Sequence, residues 1–334
     1  MKKYCMAPFA SPAITPDGFK LCSYPGQKVY DDLSFWNSEE IQELRRIIRD
    51  GGTPESCAAC MASRDGMLIT HNVHELRDDY VPINFKNLFI ARSNKCDYAC
   101  EMCSSSISHS YDRMFNDGKI GIVENNFDLT PYLHETRHAA ISGGNPVLDK
   151  KLIEIIDQLD VDRLESMFFT SNGSVFPDAF LDSIKRLERT DISLIFSIDG
   201  PQEYNESVRI GCKQSRFYST VKKVMERVRD NSNIYTCFEF TATNTSITKM
   251  AEMYDEIIMT LTNEELSRIK FVFNTCSFPH SMSCFNLSSE QYATIEVQIA
   301  YFESIMRTSP QHLTEAILKR LREYKERYDS QRIL

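Results

Sequence analysis

From residue 84 onward, short apolar runs alternate with longer stretches whose apolar positions recur every three or four residues. This is the pattern of strands and helices taking turns around a parallel sheet. Six runs read as strands: 85–91, 139–142, 166–170, 193–197, 235–241 and 270–275. Between them, 152–159, 180–187, 218–228 and 250–261 carry one-sided apolar faces and read as helices. Six repeats fall short of the eight that close a barrel, so the pattern predicts an α/β protein built on a partial (β/α)6 TIM-type barrel over 84–280. Residues 104–136 are longer than a plain helix connection and predict a loop on the substrate side. Beyond 280, Ser288 and Gln291 have capping-box spacing, and Leu313, Ile317, Leu321, Tyr324 and Tyr328 form one apolar stripe. Residues 281–334 are therefore expected to be helices packing on the barrel.

Residues 1–80 hold too little apolar side chain for a large core of their own. The segment 5–10 reads as a short strand, Pro16-Asp17-Gly18 as a turn and 19–22 as the returning strand. A helix follows, with Asn37 as N-cap, Glu40 three residues on, and Ile41, Leu44, Ile47 and Ile48 on one face before Gly51-Gly52 stops it. Cys57-Ala-Ala-Cys60 comes next. Hairpin and CxxC together predict that Cys5, Cys22, Cys57 and Cys60 converge on one metal or cluster, on which so small a module would depend. Zinc and iron–sulfur both suit four cysteines.

Composition narrows the function. A net charge of −9 gives no general attraction to phosphate backbones and counts against a nucleic-acid partner, although a local basic groove is compatible with it. Met1-Lys-Lys-Tyr-Cys5 leads into no apolar segment of signal or membrane length, so a cytoplasmic location is expected. The seven histidines form no HxxH or HExxH group, which leaves hydrolytic zinc chemistry without support. Eleven cysteines without a secretion signal point to reduced, metal-binding use.

The most specific signal is Cys96-Asp-Tyr-Ala-Cys100-Glu-Met-Cys103, a CxxxCxxC loop directly after the first strand of the repeat. Three thiolates so spaced can ligate three irons of a [4Fe–4S] cube and leave the fourth open, since the next cysteine is Cys212. Strand ends of this kind are where α/β barrels carry their chemistry. The loop resembles the cluster loop of the radical S-adenosylmethionine (SAM) enzymes, and further segments match that family in order. Ile141-Ser-Gly143-Gly144-Asn145-Pro146 is similar to its GGEP segment, which receives the amino group of SAM. Phe168-Phe-Thr-Ser-Asn172-Gly173 is similar to its TNG turn, and Leu194-Ile-Phe-Ser197-Ile-Asp199-Gly200 to its SIDG segment. Arg209 stands where a subgroup sets an arginine against the SAM carboxylate.

The resemblance implies that Cys96, Cys100 and Cys103 hold the cluster. It implies a SAM site made by Tyr98, Met102, Gly143, Gly144, Asn145, Asn172, Ser197, Asp199 and Arg209, with Ser197 and Asp199 toward the ribose. It also implies a 5′-deoxyadenosyl radical that takes hydrogen from a substrate. One position departs: Asn145 replaces the usual glutamate, so a charged contact to the SAM ammonium becomes a neutral one, roughly half as strong. Cys276, ending the sixth strand, is a candidate hydrogen donor or cluster ligand, with a buried structural cysteine as its alternative. The pattern of Cys5, Cys22, Cys57 and Cys60 resembles twitch or SPASM modules that hold an auxiliary [4Fe–4S] cluster, here before the barrel instead of after it; zinc is the alternative. Such modules accompany enzymes acting on peptides or small alcohols. The implied substrate is a peptide or protein side chain, with a small metabolite or a nucleotide or nucleic-acid base as alternatives, and flavodoxin or ferredoxin as the kind of reducing partner. Two non-catalytic readings stand beside these: a zinc-stabilised binding module on a degenerate barrel, and a cluster-carrying electron-transfer protein.

Overall fold

The computed structural model describes residues 5–23, 27–58, 79–276 and 279–332. Its strands, in chain order, are β1 (Ala13–Thr15), β2 (Gly18–Lys20), β3 (Asn87–Ile90), β4 (Ala99–Cys100), β5 (His138–Ile141), β6 (Ser166–Ser171), β7 (Asp191–Ser197), β8 (Arg209–Ile210), β9 (Ile234–Ala242) and β10 (Ile269–Thr275). Eight of them form one sheet in the order β10-β9-β7-β6-β5-β3-β1-β2, while β4 pairs with β8. From β3 to β10 every pairing in the sheet is parallel. The six expected strands are thus present, in sequential order, as a partial TIM-type barrel.

Alternation along each strand divides the sheet into two faces. On β6, Phe169 turns outward and meets Phe176 and Phe180, the latter on helix Asp178–Lys185. Phe196, Phe217 and Phe238 extend this outer core to helix Gln214–Arg227. On the inner face Phe168 is 48% exposed. Ser197 lies opposite Glu239 across the β7–β9 ladder, and Asn274 on β10 donates to the same carboxylate at 2.8 Å. A wall of this kind, apolar outside and mixed within, leaves the lumen for chemistry.

The N-terminal segment departs from the expectation in three ways. Residues Ala7–Ala10 form a helical turn where a strand was expected, with Pro8 at its start, and the first strand lies further on at Ala13–Thr15. The N-cap of helix Glu39–Arg49 is Ser38, whose Oγ accepts from the Ile41 N–H. Asn37 is occupied elsewhere, since its side chain bonds both main-chain groups of Val81. Third, the hairpin belongs to the barrel sheet. β1 runs parallel to β3, with Ala13 opposite Phe89 and Ile14 opposite Ile90. Phe19, Phe35, Trp36 and Ile41 sit in the same apolar core as the barrel strands. A short hairpin that cannot bury itself has borrowed a neighbour's edge.

Helices Ser289–Ile305 and Gln311–Arg332 follow the barrel, the first opened by the expected capping box of Ser288 and Gln291. The second lies along β10, and its side chains meet that strand's carbonyls. Arg320 donates to Phe273 O at 2.9 Å, Tyr324 to Asn274 O at 3.4 Å, and the His312 ring lies 3.1 Å from Ile269 O. At the opposite edge Phe19 of β2 exchanges both main-chain bonds with Tyr30. No helix among the described residues is long and apolar enough to cross a membrane.

Candidate active site

The cysteine loop leaves the C-terminal end of β3 over a rigid base. Arg92 makes a two-pronged, buried pair with Asp149, at 2.6 and 2.5 Å. Asn94, fully buried, accepts from the Val123 N–H and donates to Gly121 O, tying in the long loop after the cysteines. Within the loop, the Cys96 N–H meets His109 Nδ1 at 3.0 Å, Ser110 donates to Cys96 O, and Ser108 donates to Tyr98 O. The loop then pairs as β4 with β8, Cys100 standing opposite Arg209. Gly143 and Gly144, both at positive φ, bring the end of β5 against it. The Gly144 N–H reaches Ile107 O and the Asn145 N–H reaches Lys95 O.

The three thiols come together. Burial pushes the Cys100 thiol up, with Cys103 and Cys96 adding to the shift against the opposing pull of Arg209. Burial likewise lifts Cys103, to about 11. Cys96 and Cys100 form a small apolar cluster with Tyr98 and Cys212, against which Met102 and Cys103 pack. Two donors already point at sulfur: Asn172 Nδ2 lies 3.8 Å from Cys96 Sγ, and Arg209 Nη1 lies 3.9 Å from Cys100 Sγ. Such a set suits a cationic cluster, whose irons would remove the thiol protons outright. No three Cys, His, Asp or Glu side chains among the described residues converge on a single metal ion. A cube makes a different demand, because each thiolate meets its own iron.

Around the thiols the expected SAM residues fall into two groups. Asn145, 1% exposed, accepts from Ser171 Oγ and donates to Ser174 Oγ at 3.0 Å and to Asp97 Oδ1 at 3.3 Å. Asn172 donates to the same Asp97 oxygen at 2.8 Å. On the other side, Asp199 is fully buried and binds Arg209 Nε at 2.6 Å, with its second oxygen taken by the Thr241 N–H. Burial opposes the charge on Arg209, yet Asp199, Cys100 and Cys212 together offset that and hold the guanidinium pKa above its ordinary value. Ser197 donates to Glu239 at 3.4 Å. Tyr98 is buried against Cys212, and burial drives its phenol upward.

Other expected positions lie apart from the thiol loop. Cys276 is buried after β10, its N–H on Ala242 O and its carbonyl accepting from the Cys284 N–H. Tyr204, pushed up to about 12 by burial, meets Thr243 Oγ1 at 2.9 Å. In the N-terminal group Cys57 is buried and Cys5 and Cys22 are half-buried, while Cys60 lies outside the described residues. Three site residues escaped the sequence reading. Asp97 occupies a spacer position of the cysteine motif, and His109 sits in what read as a loop. Glu239 did leave a signal, as the one carboxylate inside the apolar run 235–241.

Residues 90–243 match the model of the Radical SAM superfamily. This segment resembles a radical SAM domain. It contains the thiol triad and every position through which the GGEP-, TNG- and SIDG-like segments resemble that family. Part of the chain is 25% identical to a probable GTP 3′,8-cyclase of Methanocaldococcus jannaschii over 142 residues, covering 42% of this chain and 46% of that protein. The chain therefore matches less than half the length of this curated relative. Among solved structures, anSMEcpe with bound AdoMet is 15% identical at a TM-score of 0.45, covering 65% of this chain and 60% of that one. SuiB of Streptococcus suis bound to the precursor peptide SuiA is 12% identical at 0.41, covering 91% and 68%.

Proposed function

We propose that the chain is an enzyme that holds a [4Fe–4S] cluster on Cys96, Cys100 and Cys103, cleaves SAM reductively, and abstracts hydrogen from a peptide or protein side chain. The observation that carries the reading is the clustering of the three thiols at the strand ends of a partial barrel, within the segment that matches the Radical SAM superfamily model. When bound, the cluster supplies the single electron that splits the SAM sulfonium into methionine and a 5′-deoxyadenosyl radical. The chain supplies position and a sheltered site. Arg209 sets positive charge beside Cys100, Asp199 keeps that guanidinium oriented, and Gly143 and Gly144 let β5 close against the loop. Ser197 and Glu239 offer polar groups on the lumen wall, while Phe168 and Ile195 keep it apolar.

The peptide reading is supported by the resemblance of the Cys5–Cys22–Cys57–Cys60 pattern to modules of peptide-modifying enzymes, and by an unclosed barrel with room for a bulky substrate. That module would hold an auxiliary cluster, or zinc. A nucleotide substrate is the second reading, favoured by the resemblance to the probable GTP cyclase.

Anaerobic reconstitution followed by dithionite reduction in the presence of SAM tests the central claim. The intact chain is expected to release 5′-deoxyadenosine and a Cys96/Cys100/Cys103→Ala triple variant none; equal release from both would sink it. Iron analysis separates one cube, about four irons, from two, about eight. Consumption of GTP in the same assay would replace the peptide reading with the nucleotide one.

A further inference from the structure

Two oppositely charged groups flank the thiol triad, one at each end. At the Cys100 end stands Arg209, its Nε on Asp199 and its Nη1 beside the sulfur. At the Cys96 end stands Asp97. A single nitrogen, Asn172 Nδ2, touches both the Cys96 sulfur at 3.8 Å and the Asp97 carboxylate at 2.8 Å, so carboxylate and thiol are immediate neighbours. Asn145 donates to that same carboxylate oxygen, Oδ1. The second oxygen, Oδ2, makes no hydrogen bond among the described residues, and Asp97 is exposed. A carboxylate held by two amides on one oxygen, with the other left open, is a prepared acceptor for a cation.

We propose that Asp97 receives the α-ammonium group of SAM, with Arg209 at the far end of the triad standing where the family resemblance sets the α-carboxylate. This deepens the reading above and rests on it. An amino-acid head group is a short zwitterion, and the triad is bracketed by its complement: an anion beside Cys96 and a cation beside Cys100. The inference also explains why residue 145 is an amide. A glutamate there would set a second carboxylate within about hydrogen-bond distance of Asp97, and like charges so close oppose one another. Asparagine instead lends Asp97 a donor. The acidic group has moved from the end of β5 into the cysteine loop, and the amide at 145 holds it there.

The test is a charge exchange, read as SAM binding by equilibrium dialysis on anaerobically cluster-loaded protein, with iron content and melting temperature measured alongside. Asp97→Asn keeps an oxygen for both amides, so iron content and melting should match the unsubstituted chain while the dissociation constant for SAM rises about tenfold or more, the loss of one charge-assisted bond. Asn145→Glu alone should also weaken binding and lower the melting temperature. The double variant Asp97→Asn/Asn145→Glu should recover most of the affinity, because one carboxylate again faces one amide. Unchanged affinity in Asp97→Asn, or a double variant as weak as that single one, overturns the inference. A cluster-loaded unsubstituted chain that binds no SAM overturns the radical SAM reading itself, a failure visible before any variant is made.

Discussion

Gly144 turns the end of β5 at φ 39°, and a Cβ on it would stand 2.1 Å from the Lys95 carbonyl oxygen. That contact is main chain, so it cannot yield as a flexible side chain would. Gly144→Ala should cost on the order of 1–3 kcal/mol and displace the entry to the cysteine loop, which iron uptake during reconstitution will report as a loss. Asp199→Asn strikes the other flank, leaving the buried Arg209 charge without its partner. An uncompensated buried charge costs about 3–5 kcal/mol, to be read from urea unfolding. Glu239 gives a pH signature. Burial raises its folded pKa, against the lowering influence of Arg209, so its contribution to stability is full below the unfolded value of about 4.3 and fades as pH rises through the folded one. Glu239→Gln should flatten that decline in unfolding curves measured across the window. At this scale the sequence yielded residue types better than partners. Cys96, Cys100 and Cys103 stand out by spacing and Arg209 by the family resemblance, but the pairing of Arg209 with Asp199 and the partners of Asn145 depend on loops that meet only in the folded chain.

Elements were easier to read when their signals were local. The six barrel strands and the Ser288–Gln291 box rest on short-range pattern, and both were found within a residue or two. The start of helix Glu39–Arg49 was misread because Asn37, a good capping residue by type, spends its side chain on Val81 and on Arg45 Nη1, 44 and 8 residues away respectively. Arg45 explains why that corner holds. Fully buried, it lies 4.6 Å over the Trp36 ring and donates to Pro8 O and Asp79 O. Arg45→Met should therefore leave two inward carbonyls unmet, at about 1–3 kcal/mol each, and lower the melting temperature by several degrees in calorimetry. The N-terminal strand at 5–10 was expected as the first arm of a hairpin around Asp17-Gly18, whereas Pro8 favours a helical first turn and the ladder needs Ala13–Thr15 to meet β3.

For the molecule as a whole, a boundary near residue 84 follows the change in sequence pattern but not the hydrogen bonds, since β1 crosses it to join the barrel. Nothing in a hairpin sequence states which edge it will choose; that is decided by the exposed side of β3. The last helix plays the matching part at β10. Leu321, fully buried, fastens it there, and Leu321→Asp should detach the helix and bring association in size-exclusion chromatography as the strand becomes available. The sealing of both sheet edges also governs what recognition can consist of. An incoming peptide finds no vacant ladder in the described sheet on which to lie as an added strand. Its main chain must stay hydrated or be met by individual side chains, so selectivity would be earned residue by residue around the reacting carbon, and sequence far from that carbon would count for little.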